Sequence, residues 1–329
     1  MKVLFIGGTG IISSACSQLA VERGIELYLL NRGQSFRPAP DGAHLIQADI
    51  NDLAATRKAL DKLHFDAVVD WIAFTPEQIE RDIHLFRQRS GQFIFISSAS
   101  AYQKPPASLP VTESTVLDNP IWEYSRQKIA CEERLVQAYR EEKFPMTIVR
   151  PSHTYDKTLL PMHGGYTVID RMRRGKKVVV HGDGTSLWTL THHKDFARGF
   201  LPLLGNLQAI GQAYHITSDE WLTWDQIHEI MAWAAGVKAH LVHIPSDFIA
   251  AFDPVWGESL LGDKAHSAIF DNSKIKRLAP EFASSSIPFA RGAEEIMAWY
   301  DADPRRQEVD PIFDRLVDQI IAAYEAALP

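Results

Sequence analysis

Two cysteines in 329 residues, Cys16 and Cys131, are too few and too far apart for a disulfide framework or a thiolate metal site. Both thiols are expected to pack in an apolar core. No apolar run approaches the roughly 20 residues that a membrane-spanning helix needs. The first twelve residues are apolar after Lys2, but they are short and glycine-rich and lack a small-residue cleavage site, so they read as a strand in a cytoplasmic protein. Excess positive charge is missing too: 34 Lys and Arg against 41 Asp and Glu leave a net charge of −7, which argues against nucleic acid or an anionic membrane as a partner. No repeats or low-complexity tracts occur. His181, His192 and His193 have no acidic neighbour that would complete a ligand set, so no metal is expected.

With 46% hydrophobic and 23% charged residues, the chain can bury a core in one large or two unequal domains. It opens on an apolar strand at residues 2–6 that runs into Gly7-Gly-Thr9-Gly10-Ile11-Ile12-Ser13, with a helix expected at 15–23. A strand, a glycine turn and a helix N-terminus present free backbone N–H groups to a diphosphate. Gly7 allows the tight turn and Gly10 the close approach. A second strand, 26–30, ends in Asn31-Arg32-Gly33, where a ribose-reading side chain belongs. An Asp there would accept from both hydroxyls of an NAD ribose, whereas a neutral Asn followed by Arg suits a 2′-phosphate, so the cofactor is NAD(P) with NADP favoured.

Further on, Tyr124-Ser-Arg-Gln-Lys128 puts a phenol and an ammonium on one face of a helix. A phenol with an ordinary pKa near 10 is a poor base, and a fixed ammonium beside it favours the phenolate. The pair can then move a hydroxyl proton.

These features together resemble the extended short-chain dehydrogenase/reductases of the NAD-dependent epimerase/dehydratase family, over about the first 200 residues. Ala48-Asp49-Ile50 resembles the segment whose Asp contacts the adenine amino group. Residues 66–73, ending in Ile72 and Ala73, are similar to the family's fourth strand, which ends under the cofactor. Residues 93–102 are similar to its fifth, and the family's catalytic Ser or Thr, four residues before Tyr102, falls on Ser98. Tyr124 and Lys128 match the catalytic pair, and Pro151 lies in the strand and turn that lead to the substrate domain. The resemblance implies a doubly wound parallel Rossmann-type sheet with a smaller mixed α/β C-terminal substrate domain. It also implies a homodimer through the helices at 78–89 and 123–139.

Several positions depart from the family pattern. Ser13 replaces a third glycine, which would leave its hydroxyl near the cofactor phosphate. Ala99-Ser100 follow Ser98 where dehydratases carry Asp-Glu, which argues against dehydration. His153 stands where nucleotide-sugar enzymes carry Asn, and Trp188 where they carry an arginine, so a nucleotide-sugar substrate is in doubt. The basic run Arg171, Arg173, Arg174, Lys176 and Lys177 is expected to be a solvated helix end, with anion contact as the alternative.

The dinucleotide-binding domain is expected at 1–155 and the substrate domain mainly at 156–329, with about 185–205 packing back on the first. Ser98, Tyr124 and Lys128 are the candidate catalytic residues. Candidates for cofactor binding are Gly7, Thr9, Gly10, Ile11, Ile12, Asn31, Arg32, Asp49, Ile50, Ile72, Ala73, Tyr124, Lys128 and Pro151. Ser100, His153 and Trp188 are the substrate candidates; His153, Ser100 and Lys104 are also candidates for a second acid/base. Trp122 and Tyr166 are expected to be exposed, offering with Trp188 a face on which a sugar stacks, or else core packing. The function expected is oxidation, reduction or epimerisation at a hydroxyl or ketone of a carbohydrate-like substrate. A non-catalytic cofactor-binding regulator or RNA-associated protein of the same fold is the alternative.

Overall fold

The computed structural model describes residues 1–284 and 286–327. Seven parallel strands form the central sheet, in the order β11-β6-β5-β4-β1-β2-β3. They are β1 (Lys2–Ile6), β2 (Glu26–Asn31), β3 (His44–Gln47), β4 (Ala67–Asp70), β5 (Phe93–Ile96), β6 (Met146–Pro151) and β11 (Ala213–Ile216). The inner strands are continuous apolar runs because helices cover both faces of the sheet. Residues 3–6, 67–70 and 93–96 are all buried. The remaining strands are short pairs outside this sheet: β7 (His153–Tyr155) with β10 (Leu190–His192), β9 (Leu187–Trp188) with β12 (Leu222–Thr223), and β8 (Lys177–His181) with β13 (His240–Ile244).

Helices α1 (Ile11–Glu22) and α6 (His193–Phe200) cover one face of the sheet, burying Cys16, Ala20, Phe196 and Phe200. Between them in the chain lie α2 (Leu53–Ala59), α3 (Pro76–Phe86), α4 (Glu123–Glu142) and α5 (Tyr166–Arg173). α3 and α4 cover the opposite face, with Ile79, Ile83, Phe86, Cys131, Leu135 and Ala138 inside. α3 starts where Thr75 and Gln78 form a reciprocal capping box ahead of Pro76. α4 ends at Lys143, whose left-handed φ of 57° stops it.

The chain leaves the sheet after β6 and returns to it with β11, pairing Ala213 with Ile148. A separate core joins β8 to α5, α7 (Trp224–Ala234) and the helices Phe289–Asp301 and Pro311–Ala326. Some expected boundaries shift. The first helix begins at Ile11, because Gly10 already caps it. The segment about 185–205 carries α6 from His193, which gives way to a 3₁₀ turn at Leu201–Leu203, where Pro202 stands. Asp301 belongs to the helix Phe289–Asp301, and Asp303 caps a 3₁₀ turn at Pro304–Arg306. No helix among the described residues is long and apolar enough to cross a membrane.

Sheet order reverses between β1 and β4. Carboxyl ends of strands at such a switch point leave a crevice, and there the expected cofactor residues meet.

Candidate functional site

β1 ends in Gly7 and Gly8 at φ of 99° and 93°, a backbone region that side chains disfavour. A Cβ on Gly8 would come 2.6 Å from Leu29 Cδ2, and one on Gly7 3.1 Å from Ile72 Cγ2. The turn is thus a cradle that a side chain would fill. Gly7, Thr9, Asn31, Arg32, Asp49, Ile50 and Ile72 line one cleft together with Gln34, Ser35, Asn51, Gln78 and Arg81. Bare backbone at the turn, followed by a cleft that a strand end and polar side chains line, fits a dinucleotide.

Other cofactor candidates sit differently. Gly10 is the N-cap of α1, and Ser13 Oγ accepts its amide at 2.7 Å, so this hydroxyl is held by the cap rather than offered to a phosphate. Ile12 packs against the core beneath α1. Asn31 Oδ1 accepts from Gly33 N at 2.9 Å and Asp49 Oδ1 from Asn51 N at 3.0 Å, so both side chains brace their own loops. Arg32 is exposed beside them.

Ile11, Ser98, Ser100, Lys104, Trp122, Tyr124, Pro151, His153 and Trp188 line a second cavity of about 370 Å³ with Asp263 and Lys264. Ser98 precedes a 3₁₀ turn at Ala99–Ala101, and its Oγ accepts from Ser100 N at 3.1 Å and lies 2.8 Å from Ser100 Oγ. Ser125 Oγ donates in turn to Ser100 Oγ at 2.8 Å. When Ser100 donates onward in this relay, the Ser98 proton is left for Tyr124 or a ligand. Burial raises the Tyr124 pKa, a hydrogen bond with Ser98 opposes the rise, and the Asp263 charge adds to it.

Lys128 lies beneath the tyrosine on the same face of α4, with its Nζ 5.9 Å from the Tyr124 ring centroid. That Nζ donates to Ala73 O at 2.7 Å and to Ile96 O at 2.9 Å. Ala73 therefore serves as an acceptor below the site. Burial draws the Lys128 pKa down to about 8. A third ammonium proton remains for a ligand above.

Trp188 Nε1 donates to His153 Nδ1 at 3.0 Å. Burial, reinforced by Lys264, pushes the His153 pKa down to about 3. The ring is neutral with its proton on Nε2, suited to donating a hydrogen bond and unsuited to carrying a proton between acid and base near neutral pH. Trp188 itself is 5% exposed and packs on Trp224.

Expectations of exposure are corrected at four places. Tyr166 is buried and stacked on Tyr300, away from the site, while Trp122 is half-buried against Tyr124. Arg171 is 1% exposed and donates to Asp314 and Asp318, so it is neither solvated nor free for an anion. Arg173 pairs with Asp301, since this end of α5 docks on the C-terminal helices, while Arg174 stays exposed as expected and pairs with Asp170 one turn back and with Asp314. His192 does meet an acid, Glu295 at 3.3 Å, although no group of three metal-ligating side chains occurs among the described residues.

Sequence reasoning missed Ser125, Asn119, Asp263 and Lys264. Asn119 Nδ2 donates to Ser100 O at 3.0 Å and to Gly262 O at 2.7 Å, tying the serine turn to a segment more than 140 residues away. Ser125 stood inside the Tyr-Lys motif and its position was the available signal; the other three carry no local pattern.

Comparison with known proteins identifies the family. The profile of the NAD dependent epimerase/dehydratase family matches residues 3–217. The chain is 27% identical over 268 residues to the chloroplast stem-loop binding protein of 41 kDa b of Arabidopsis thaliana, covering 75% of this chain and 67% of that one. An epimerase from Methanothermobacter thermautotrophicus superposes with a TM-score of 0.75 at 17% identity, over 93% of this chain and 94% of its own. A UDP-glucuronic acid 4-epimerase from Bacillus cereus, solved with UDP-glucuronic acid and NAD, gives 0.72 at 18% identity, over 92% and 99%. With its profile covering most of the parallel sheet and the Tyr124–Lys128 helix, the chain belongs to the NAD-dependent epimerase/dehydratase family.

Proposed function

We propose that the protein is an NAD(P)-dependent oxidoreductase or epimerase acting on a hydroxyl or ketone of a carbohydrate-like substrate. The observation that carries this reading is Tyr124 beside Ser98 and above Lys128, with Tyr124 and Ser98 lining one cavity and Lys128 anchored beneath it, in a chain whose glycine turn lines a second cleft. A bound nicotinamide would supply the hydride acceptor or donor. Tyr124 takes the proton of the substrate hydroxyl, and Ser98, oriented by Ser100 and Ser125, donates to the oxygen as it becomes a carbonyl. Lys128 would direct its free proton to the ribose of a bound cofactor, and its positive charge below Tyr124 would favour the phenolate. In the reverse direction the same groups return the proton.

Dehydration would need an acid and a base at positions 99 and 100, where Ala99 and Ser100 stand, and neutral His153 does not replace them. A ketone that is released makes the protein a dehydrogenase or reductase; one that rotates and takes hydride back on its other face makes it an epimerase. For the cofactor we favour NADP, since no acid ends β2 and Arg32 lines the cleft. The Bacillus epimerase, which was solved with NAD and a nucleotide sugar, supports a related chemistry. A homodimer through α3 and α4 and a cytoplasmic location belong to the same reading.

Likeness to the chloroplast stem-loop binding protein supports a second reading, an RNA-associated protein of this fold, which the net charge of −7 disfavours. Titration of the purified protein with NADP and NAD, followed by nicotinamide fluorescence, with mass spectrometry of whatever it carries as isolated, is the deciding experiment. Tightly held cofactor supports epimerisation and exchangeable cofactor a reductase, while binding of neither sinks the enzyme reading.

A further inference from the structure

The wall of the Ser98–Tyr124 cavity carries more positive than negative charge. Lys104 Nζ lies 2.7 Å from Asp263 Oδ1, with the two side chains 5% and 11% exposed. Lys264 faces the same cavity with its Nζ 5.0 Å from the Trp122 ring centroid, and among the described residues it has neither a hydrogen-bond acceptor nor a carboxylate at ion-pair distance. The remaining titratable groups lining the cavity, Tyr124 and His153, are neutral at pH 7. Two ammonium groups against one carboxylate leave one charge uncompensated in a half-open cavity whose walls include Trp122, Trp188 and Phe270. Such an arrangement is costly until an anion joins it.

The excess charge is held in a rigid frame. Lys264 O accepts from His181 Nε2 at 3.0 Å, Ser186 Oγ at 3.2 Å and Trp224 Nε1 at 3.2 Å. Asn119 ties the neighbouring Gly262 to the serine turn. Trp122 bridges the ammonium to the reacting end, since its ring also packs on Tyr124 at 5.1 Å. Beyond Lys264 the cavity opens to a mainly apolar chamber lined by Met162, Trp224, Trp256 and Phe313. Its one arginine, Arg171, is already bound to Asp314 and Asp318. Lys264 is thus the cation at the junction of the two spaces that, among the described residues, has no carboxylate at ion-pair distance; Asp263, the nearest acid to act on it, is already paired with Lys104.

We infer that the substrate carries a single anionic group, a carboxylate or phosphate near the reacting carbon, which Lys264 and the Lys104–Asp263 pair receive. This deepens the oxidoreductase reading of the same cavity and rests on it. A substrate with one such group satisfies the wall, whereas a diphosphate chain entering the apolar chamber would find no further free cation there.

The test is isothermal titration of the cofactor-loaded full chain with inorganic phosphate and with acetate, at constant ionic strength, for wild type, Lys264→Gln and Lys264→Arg. The expected result is saturable binding of one anion, weakened roughly tenfold by Lys264→Gln and largely kept by Lys264→Arg. Which anion binds tells phosphate from carboxylate. Thermal unfolding checks that the variants fold, and Lys104→Gln, also expected to weaken binding, replaces Lys264→Gln if that variant does not. No saturable binding of either anion by wild type, or equal binding by the charge-removing variant, overturns the inference. Because anion binding is read without turnover, a protein that binds anion and no cofactor refutes the oxidoreductase reading instead.

Discussion

Lys128→Met separates the cost of the buried ammonium from its use. Lys128 is 2% exposed, and burial draws its pKa from the ordinary 10.5 down to about 8. That gap corresponds to about 3 kcal/mol by which folding disfavours the charged form. Below pH 8 both folded and unfolded chains carry the proton, and the penalty is complete. Between about pH 8 and 10.5 the unfolded chain holds more protons than the folded one, so stability rises with pH, and above 10.5 the penalty is gone. Met has no charge, so the variant lacks this rise. Its absolute stability is not diagnostic, because Ala73 O and Ile96 O lose a donor at every pH, at about 1–3 kcal/mol each. Urea unfolding of both proteins between about pH 7 and about pH 10, followed by tryptophan fluorescence, is expected to show wild type gaining about 2.5 kcal/mol relative to the variant. The same pH dependence in both would refute the depressed lysine. Turnover of Lys128→Met is expected to fall about 10²–10⁴-fold alongside.

Three other perturbations address other parts of the molecule. Glu132→Gln leaves Arg150 buried without its carboxylate, to which it now donates at 2.9, 3.2 and 2.5 Å; a loss of about 3–5 kcal/mol in urea unfolding is expected, and a loss well below that would mean water reaches the pair. Arg32→Ala is expected to weaken NADP roughly tenfold in a fluorescence titration and to leave NAD nearly unchanged, because only the 2′-phosphate needs the guanidinium. Ser125→Ala removes the donor that starts the serine relay, so kcat is expected to drop about tenfold while cofactor affinity stays constant; unchanged kcat would show that Ser98 needs no orienting chain.

Much of the nucleotide-binding half is local information. β1, the glycine turn and the start of α1 follow from an apolar run, from residues that tolerate positive φ and from a cap, all within 13 positions. Tyr124 and Lys128 share a face because they are four apart on a helix. Misreadings arose where burial decided. The α5 arginines look like a solvated tail until the helix Pro311–Ala326 brings Asp314 and Asp318 to Arg171. His153 has an ordinary imidazole in the sequence, and burial with the Lys264 charge, 111 residues away, makes it neutral, while the Trp188 indole donates to its Nδ1.

The sequence by itself determined the parallel sheet, the cradle at Gly7 and Gly8 and the Tyr124–Lys128 pair, because side-chain periodicity and turn chemistry act over a few residues. Only the tertiary structure decided that β11 returns to the sheet beside β6, that Lys128 rests on two backbone carbonyls and that Lys264 stands uncompensated beside Trp122. Desolvation and charge pairing depend on what lies nearby in space, and at this site the partners come from segments between 32 and 143 residues apart.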